Sequence, residues 1–208
     1  MIGISYAIMA CNEHEELELL LDKINNLFDK SKDEIILLLD EYNYTDEVLK
    51  VASKYKYVKI FKNSLNNNFS QQKNYLFSKC TKDYIFNLDA DEYPSDFLLN
   101  SLHTFLENNN SVDMFWVPRI NTLINCDLEK LRSVGWNIND DGYLNFPDYQ
   151  TRIIKNNQDI IWAGKVHEQL TNYETHSFLP KDYEYCIIHN KTLDKQIKQN
   201  KFYEQILK

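Results

Sequence analysis

Tyr84-Ile85-Phe86-Asn87-Leu88-Asp89-Ala90-Asp91-Glu92-Tyr93-Pro94 decides how the chain is read. An apolar run with the length of a buried strand leads straight into three carboxylates within four positions, and Pro94 then stops further sheet pairing. In an extended chain alternate side chains share a face, so Asp89 and Asp91 are expected to point the same way about 6.6 Å apart, close enough to serve one cation or one diphosphate. Ala90 and Glu92 face the other way. Acids at the carboxyl end of a central strand stand where open α/β sheets bind ligands. They would equally suit the first turn of a helix over 94–107. Three of them directly behind a buried strand point to a site.

Working outward, residues 2–10 form an apolar segment. Asn12 is placed to cap a following helix on which Leu17, Leu20, Leu21, Ile24, Leu27 and Phe28 recur at helical spacing. A second buried strand, 34–39, ends in Asp40. Asp46 then opens a helix with Val48, Leu49, Val51 and Ala52 on its inner side, and 57–61 reads as a third strand. Ser70 is the expected cap of a helix running to about Cys80, after which the central strand arrives. Four strand and helix alternations predict an α/β protein with a mostly parallel central sheet and helices on both faces. Beyond Asn110 the pattern changes: strands over 113–118, 149–155 and 183–189 are separated by long polar stretches, which predicts an α+β second half. Residues 121–148, carrying Trp136, Tyr143 and Phe146, read as a long irregular loop of the kind that is functional or mobile, and 193–207 reads as a closing helix.

The chain of 208 residues, 43% hydrophobic, is long enough for one sizeable core, so 1–208 is expected to be a single domain. Its formal charge of −8 speaks against a general nucleic-acid binder, which needs a basic field. An anionic ligand would therefore need a metal or local cations. Cys11, Cys80, Cys126 and Cys186 lie far apart with no CxxC pair, which indicates neither a disulfide framework nor a zinc site and suits a reduced, cytoplasmic setting. No apolar run approaches the roughly 18 residues of a membrane span, and the Met1 end reads as a strand rather than a basic leader.

Four places resemble the family 2 glycosyltransferases, nucleotide-sugar transferases of the GT-A type. Ile4-Ser5-Tyr6-Ala7-Ile8-Met9-Ala10-Cys11-Asn12-Glu13 resembles that family's first strand and polar turn, and Asp40 with Thr45-Asp46 resembles its second-strand acid and following Ser/Thr-Asp pair. Gln72-Lys73-Asn74 ahead of Asp89-Ala90-Asp91-Glu92 resembles the subgroup with a basic residue beside Asn before an Asp-x-Asp-Glu signature. Gln150-Thr151-Arg152-Ile153-Ile154-Lys155-Asn156 followed by Trp162-Ala163-Gly164-Lys165-Val166-His167-Glu168 is similar to the closing strand and His-Glu element of small bacterial sugar transferases, including lipopolysaccharide-core glucosyltransferases. The chain departs from the family at Glu41-Tyr42-Asn43-Tyr44, where a short turn of small residues is usual.

The resemblance implies a GT-A fold and transfer of a hexose-type sugar from a nucleotide-diphosphate sugar, a UDP-sugar first, to an acceptor hydroxyl. It divides the chain into a nucleotide-sugar-binding half, 1–110, and an acceptor and catalytic half, 111–208. It also implies that Asp40 bonds the uracil or ribose with Asn12 nearby, that Asp89 meets the ribose or the metal, and that Asp91 ligates Mn²⁺ or Mg²⁺, a hard cation that prefers oxygen donors. A late histidine serves some such enzymes as a further ligand, a role open to His189, which could equally be a hydrogen-bonded strand-end residue. Lys73 is the candidate cation for the leaving phosphate. Glu168 is the candidate general base of an inverting displacement and His167 its competitor; Arg152 would steady that carboxylate or cover the sheet with its stem. The acceptor, set by loops such as 121–148, could be a glycan or another hydroxyl compound, with nucleic acid disfavoured. The rival readings are an Asp-x-Asp phosphotransferase, which would carry its pair after the first strand, and a non-catalytic carbohydrate- or partner-binding domain of the same fold.

Overall fold

In a computed structural model, which describes residues 1–206, the first half alternates β1 (Ile4–Ala10), α1 (His14–Leu27), β2 (Glu34–Asp40), α2 (Asp46–Ala52), β3 (Val58–Asn63), α3 (Phe69–Phe77) and β4 (Tyr84–Asp89). These four strands are parallel, in the order β3-β2-β1-β4. Every residue of β2 is buried, as a strand covered on both faces requires. Tyr6, Ile8, Leu37, Leu39, Phe86 and Leu88 pack on one face against α1 and α2, while Ala7, Ile36, Leu38 and Ile85 meet Leu76 of α3 on the other. Leu17, Leu20, Leu21 and Ile24 make the buried stripe of α1 that the spacing predicted.

The caps differ from expectation. Asn68, not Ser70, caps α3 by accepting from Gln71 N at 3.0 Å. Nor does Asn12 cap α1: Glu13 precedes it, and its carboxylate accepts from the backbone N–H of Cys11 and Asn12, bracing the turn after β1. The acidic motif is also not extended throughout. Asp89 ends β4, Ala90 and Asp91 form a turn, and Glu92 opens the short strand β5 (Glu92–Pro94), so Pro94, expected to stop sheet pairing, instead pairs with Ile187 just ahead of the expected helix. Ser95 then caps α4 (Asp96–Asn108), accepting from Leu98 N at 3.0 Å.

The second half extends the same sheet. β6 (Met114–Ile124) and β7 (Leu144–Lys155) pair antiparallel, β7 lies against β4, and β6 carries β10 (His176–Phe178) and β11 (Ile187–Thr192) in parallel. β5 closes the path antiparallel to β11. The nine strands make one mixed sheet, with β8 (Ile161–Ala163) and β9 (Gln169–Thr171) as a separate ribbon. The ends of the stretch expected to be a loop are thus strand, β6 to Ile124 and β7 from Leu144, with α5 (Leu128–Ser133) between them, while 125–127 and 134–143 are irregular as expected. The segment 183–189 is not one strand: Tyr183–Tyr185 is a 3₁₀ turn and β11 begins at Ile187. α6 (Leu193–Ile206) follows β11, and Leu207 of the expected closing helix lies outside the described residues.

Candidate active site

The carboxyl ends of the parallel strands open into a cleft of about 1870 Å³. It gathers all eight residues singled out from the sequence: Asn12, Asp40, Lys73, Asp89, Asp91, His167, Glu168 and His189. Asp40 comes off β2 with both oxygens engaged, accepting from Leu65 N at 3.2 Å and Asn43 Nδ2 at 2.7 Å. Asn12 is exposed at the rim after β1.

The turn at Ala90 separates the two motif aspartates. Asp89 faces β7, where Arg152 Nη2 donates to its Oδ2 at 2.7 Å and also to wholly buried Glu92. Glu92 receives Arg119 as well, at 2.8 Å, and Arg119 reaches on to Asp148 Oδ2 at 2.7 Å. Burial opposes ionisation of Asp89, but Arg152 and Lys73 outweigh it and hold its carboxyl well below the usual range. Burial likewise acts against the Arg152 guanidinium, and Asp89 with Glu92 more than restores its charge. Two arginines against three carboxylates form one continuous network, buried at Arg152 and Glu92 and open to the cleft at Asp89 and Asp148.

Asp91 turns instead toward β11 and α6. His189 Nε2 is 3.4 Å from Asp91 Oδ2, and Lys195 Nζ is 3.2 Å from the same oxygen. Burial of Asp91 disfavours its charge, yet His189 and Lys195 hold its carboxyl far down. The network fixes the imidazole. Asn121 Nδ2 donates to Asp148 Oδ2 at 2.7 Å, so Asn121 Oδ1 is an acceptor, and His189 Nδ1, 2.8 Å from it, is the donor. A proton on Nε2 as well lets the ring donate to Asp91, which is how it holds that carboxyl down; giving that proton up leaves an Nε2 lone pair beside Asp91 Oδ2, the arrangement by which a hydrogen-bonded histidine ligates a metal. No group of three or more His, Cys, Asp or Glu converges as a metal site among the described residues. One carboxylate oxygen and one imidazole nitrogen nevertheless suit a cation that takes its other positions from phosphate oxygens and water.

The third wall holds Glu168. Its carboxylate pairs with Lys73 of α3, whose ammonium lies 4.2 Å from the Trp162 ring centroid. Asn74 clamps Trp162 from both sides, donating to its carbonyl and accepting from its N–H, each at 2.9 Å. Lys73-Asn74 therefore ties α3 to the ribbon that delivers Glu168. Gly164 sits at φ +97, where a side chain would be strained, and His167 at φ 54, an unusual setting for a non-glycine residue. The His167 ring is exposed and meets Tyr203 of α6 at 5.6 Å. Arg152 takes neither role expected of it: it serves Asp89 and Glu92, and Lys73 is the partner of Glu168.

Residues 5–148 match the profile described as Glycosyl transferase family 2. The chain belongs to this family. Membership makes this a glycosyltransferase-family domain, which sets aside the phosphotransferase reading. Solved structures agree on the GT-A fold. S. aureus TarS 1-349 matches at a TM-score of 0.64 with 15% identity, over 91% of this chain and 60% of that one. Its complex with UDP matches at 0.64 with 14% identity, over 99% and 65%, and its complex with UDP-GlcNAc at 0.61 with 16%, over 92% and 59%. The chain thus spans about 60% of the length of TarS 1-349. No curated protein matches it in sequence.

Arg119, Asn121, Asp148 and Lys195 complete this glycosyltransferase's cleft and were not singled out from the sequence. One signal was available: arginines inside apolar strand segments, at Arg119 and Arg152, require buried carboxylate partners. No helix among the described residues is long and apolar enough to cross a membrane.

Proposed function

We propose that the chain moves a sugar from a UDP-sugar to an acceptor hydroxyl with inversion, with Glu168 as general base and Asp91 and His189 holding Mn²⁺ or Mg²⁺. The observation that carries this reading is the convergence of Asp40, Asp91, His189 and Glu168 on one cleft, at the sheet edge where α/β proteins bind nucleotides. The TarS structures with UDP and UDP-GlcNAc support a uridine donor.

Asp40 and Asn12, at the ends of β2 and β1, take the uracil and ribose, and Asp89 lies on the ribose side, held by Arg152. The half 1–110 thus supplies the donor seat, and 111–208 the acceptor wall with its base. When bound, the divalent cation supplies charge that stabilises the departing diphosphate. Glu168 takes the proton of the acceptor hydroxyl as its oxygen attacks the anomeric carbon from the side opposite the diphosphate. The bond from the anomeric carbon to the phosphate oxygen breaks, and its electron pair leaves with the nucleoside diphosphate. One displacement with one base inverts the centre and needs no enzyme nucleophile. Lys73 keeps the Glu168 carboxylate aimed, and Trp162 shields the pair from water.

The test is a panel of nucleotide sugars in thermal shift with and without Mn²⁺. A ligand at 100 times its dissociation constant should add about 2.7 kcal/mol of stability. A UDP-sugar that raises the melting temperature only with Mn²⁺ present, and is slowly hydrolysed without acceptor, is the expected result; no shift from any nucleotide sugar would remove the proposal.

A further inference from the structure

Lys195 lies in the first turn of α6, and its ammonium bridges carboxylates from two other elements: Asp91 Oδ2 at 3.2 Å and Glu16 Oε1 of α1 at 3.1 Å. Asp91 Oδ2 is also the oxygen that faces His189 Nε2. The ammonium therefore stands on the oxygen a divalent cation would take. Nζ and a cation sharing that oxygen would be like charges almost in contact, inside a cleft whose walls screen poorly. The two positions exclude each other.

Resting on the donor reading above, we infer that Lys195 is an internal counter-ion of Asp91 that is exchanged for the divalent cation when a nucleoside diphosphate arrives, and that its ammonium then moves onto the diphosphate. Charge decides the order of events. With the cation alone, the Asp91 site becomes net positive and repels Lys195, so free cation binds against resistance. With the diphosphate as well, the site becomes net negative and attracts the ammonium again. Cation and nucleotide therefore load together, and Lys195 opposes the first while favouring the pair.

The geometry permits the exchange without rebuilding the helix. A lysine is a point charge on a flexible stem with three donors, so a change of rotamer shifts its charge by several ångströms. Glu16 keeps the ammonium at the cleft when Asp91 is taken. Lys191 and Lys198 line the same cleft, so the diphosphate would arrive at a wall that is already basic. α6 itself is fixed at its far end, where Tyr203 packs edge-on against Phe69 at 5.8 Å and Phe202 against the same ring at 6.5 Å. Lys195 is 36% exposed, which makes its replacement safe for folding.

Calorimetry on the whole chain separates the possibilities, with Mn²⁺ alone, UDP alone, and UDP in saturating Mn²⁺ as probes. Lys195→Met should bind Mn²⁺ alone about tenfold more tightly than the parent, and UDP with Mn²⁺ about tenfold more weakly, a coupling of ordinary size with opposite signs on the two ligands. Lys195→Arg keeps the charge and should leave Mn²⁺ alone near the parent value. A Lys195→Met chain whose affinity for Mn²⁺ alone stays within about threefold of the parent, or which holds UDP with Mn²⁺ as tightly as the parent, overturns the inference while leaving the donor reading intact. A parent chain that binds neither UDP nor Mn²⁺ overturns both.

Discussion

Arg152 donates to Asp89 across the β4–β7 pairing at 2.7 Å, and this contact leaves the other motif aspartate, Asp91, to His189 and Lys195. With Asp89 engaged by the guanidinium and Asp91 turned toward His189, the two acids of one motif serve different walls of the cleft. Arg152 is 3% exposed and Glu92 fully buried, so deleting the guanidinium leaves Glu92 in the interior with Arg119 alone and takes from Asp89 its ion-pair partner. Arg152→Ala should cost about 3–5 kcal/mol, as removal of one member of a buried ion pair does. Arg152→Lys keeps the charge but not the fork, and should fall between. Urea unfolding measures both, and an Arg152→Ala midpoint equal to the parent's would show that the network carries no stability.

Asp91→Asn removes the charge that faces His189 and Lys195 while keeping side-chain volume. Transfer should fall by about 10²-fold or more, the order expected when one electrostatic stabiliser of the leaving group is lost, and some stability should go with it, because a carboxyl held far down by His189 and Lys195 stabilises the fold at neutral pH. Asp89→Asn should differ by weakening UDP binding in the absence of the cation, and it too should lose stability, because Arg152 loses one of its two partners. Turnover at limiting Mn²⁺ beside UDP affinity by calorimetry distinguishes them; equal losses of metal-free UDP affinity in the two variants would contradict the division of roles.

The alternation of β1 to β4 with α1 to α3 was legible because β1, β2 and β4 are buried on both faces and each helix on one, so hydrophobic spacing records both, while the edge strand β3 is only half-buried. The motif's position at the end of β4 was equally plain. What spacing could not record was the turn at Ala90: the expected same-side pair assumed extended backbone to Asp91. The arm over 121–148 was misread for a related reason. Within it β6 pairs with β11 over residues 121–124 and meets β7 at Asn121–Leu144, and the mixed polar residues of these strand ends leave no apolar period. Asn121 and Asp148 lie in that arm, and their partners are 68 and 27 residues away in sequence. Such pairings belong to the sheet's topology, not to any local pattern.

Glu34 offers a test of stability away from the cleft. Its buried carboxylate accepts from Thr81 N at 2.6 Å, Ser5 Oγ at 2.7 Å and Lys59 Nζ at 2.8 Å. Burial pushes its pKa up, but these donors together bring it below the ordinary value. A carboxyl depressed in the folded state stabilises above its unfolded pKa of about 4.3, and that contribution is lost as pH falls through the folded value. Glu34→Gln should therefore cost about 1–3 kcal/mol at neutral pH and reduce the acid-side slope of stability. Unfolding midpoints from pH 7 to pH 3 that run parallel for parent and variant would refute this.

Lys73 and Glu168 face each other as a nearly buried pair, 7% and 13% exposed, and the two substitutions that break it should part company in their kinetics. Glu168→Gln removes the proposed base and keeps the shape, so donor binding should persist while kcat falls by about 10² to 10⁴. Lys73→Met preserves the apolar stem beneath Trp162 and leaves Glu168 to wander. Its kcat should drop by less, about tenfold, the effect of a lost aiming contact worth about 1.4 kcal/mol. The donor KM decides what else Lys73 does. A lysine that only orients Glu168 leaves that constant unchanged, whereas one that also meets the leaving phosphate raises it, because ground-state binding is lost too. Single-turnover rates at saturating donor and acceptor, with donor KM from the steady state, read both quantities on both variants. A Glu168→Gln enzyme within threefold of the parent would move the base to His167, and His167→Ala run in parallel would then show the larger loss.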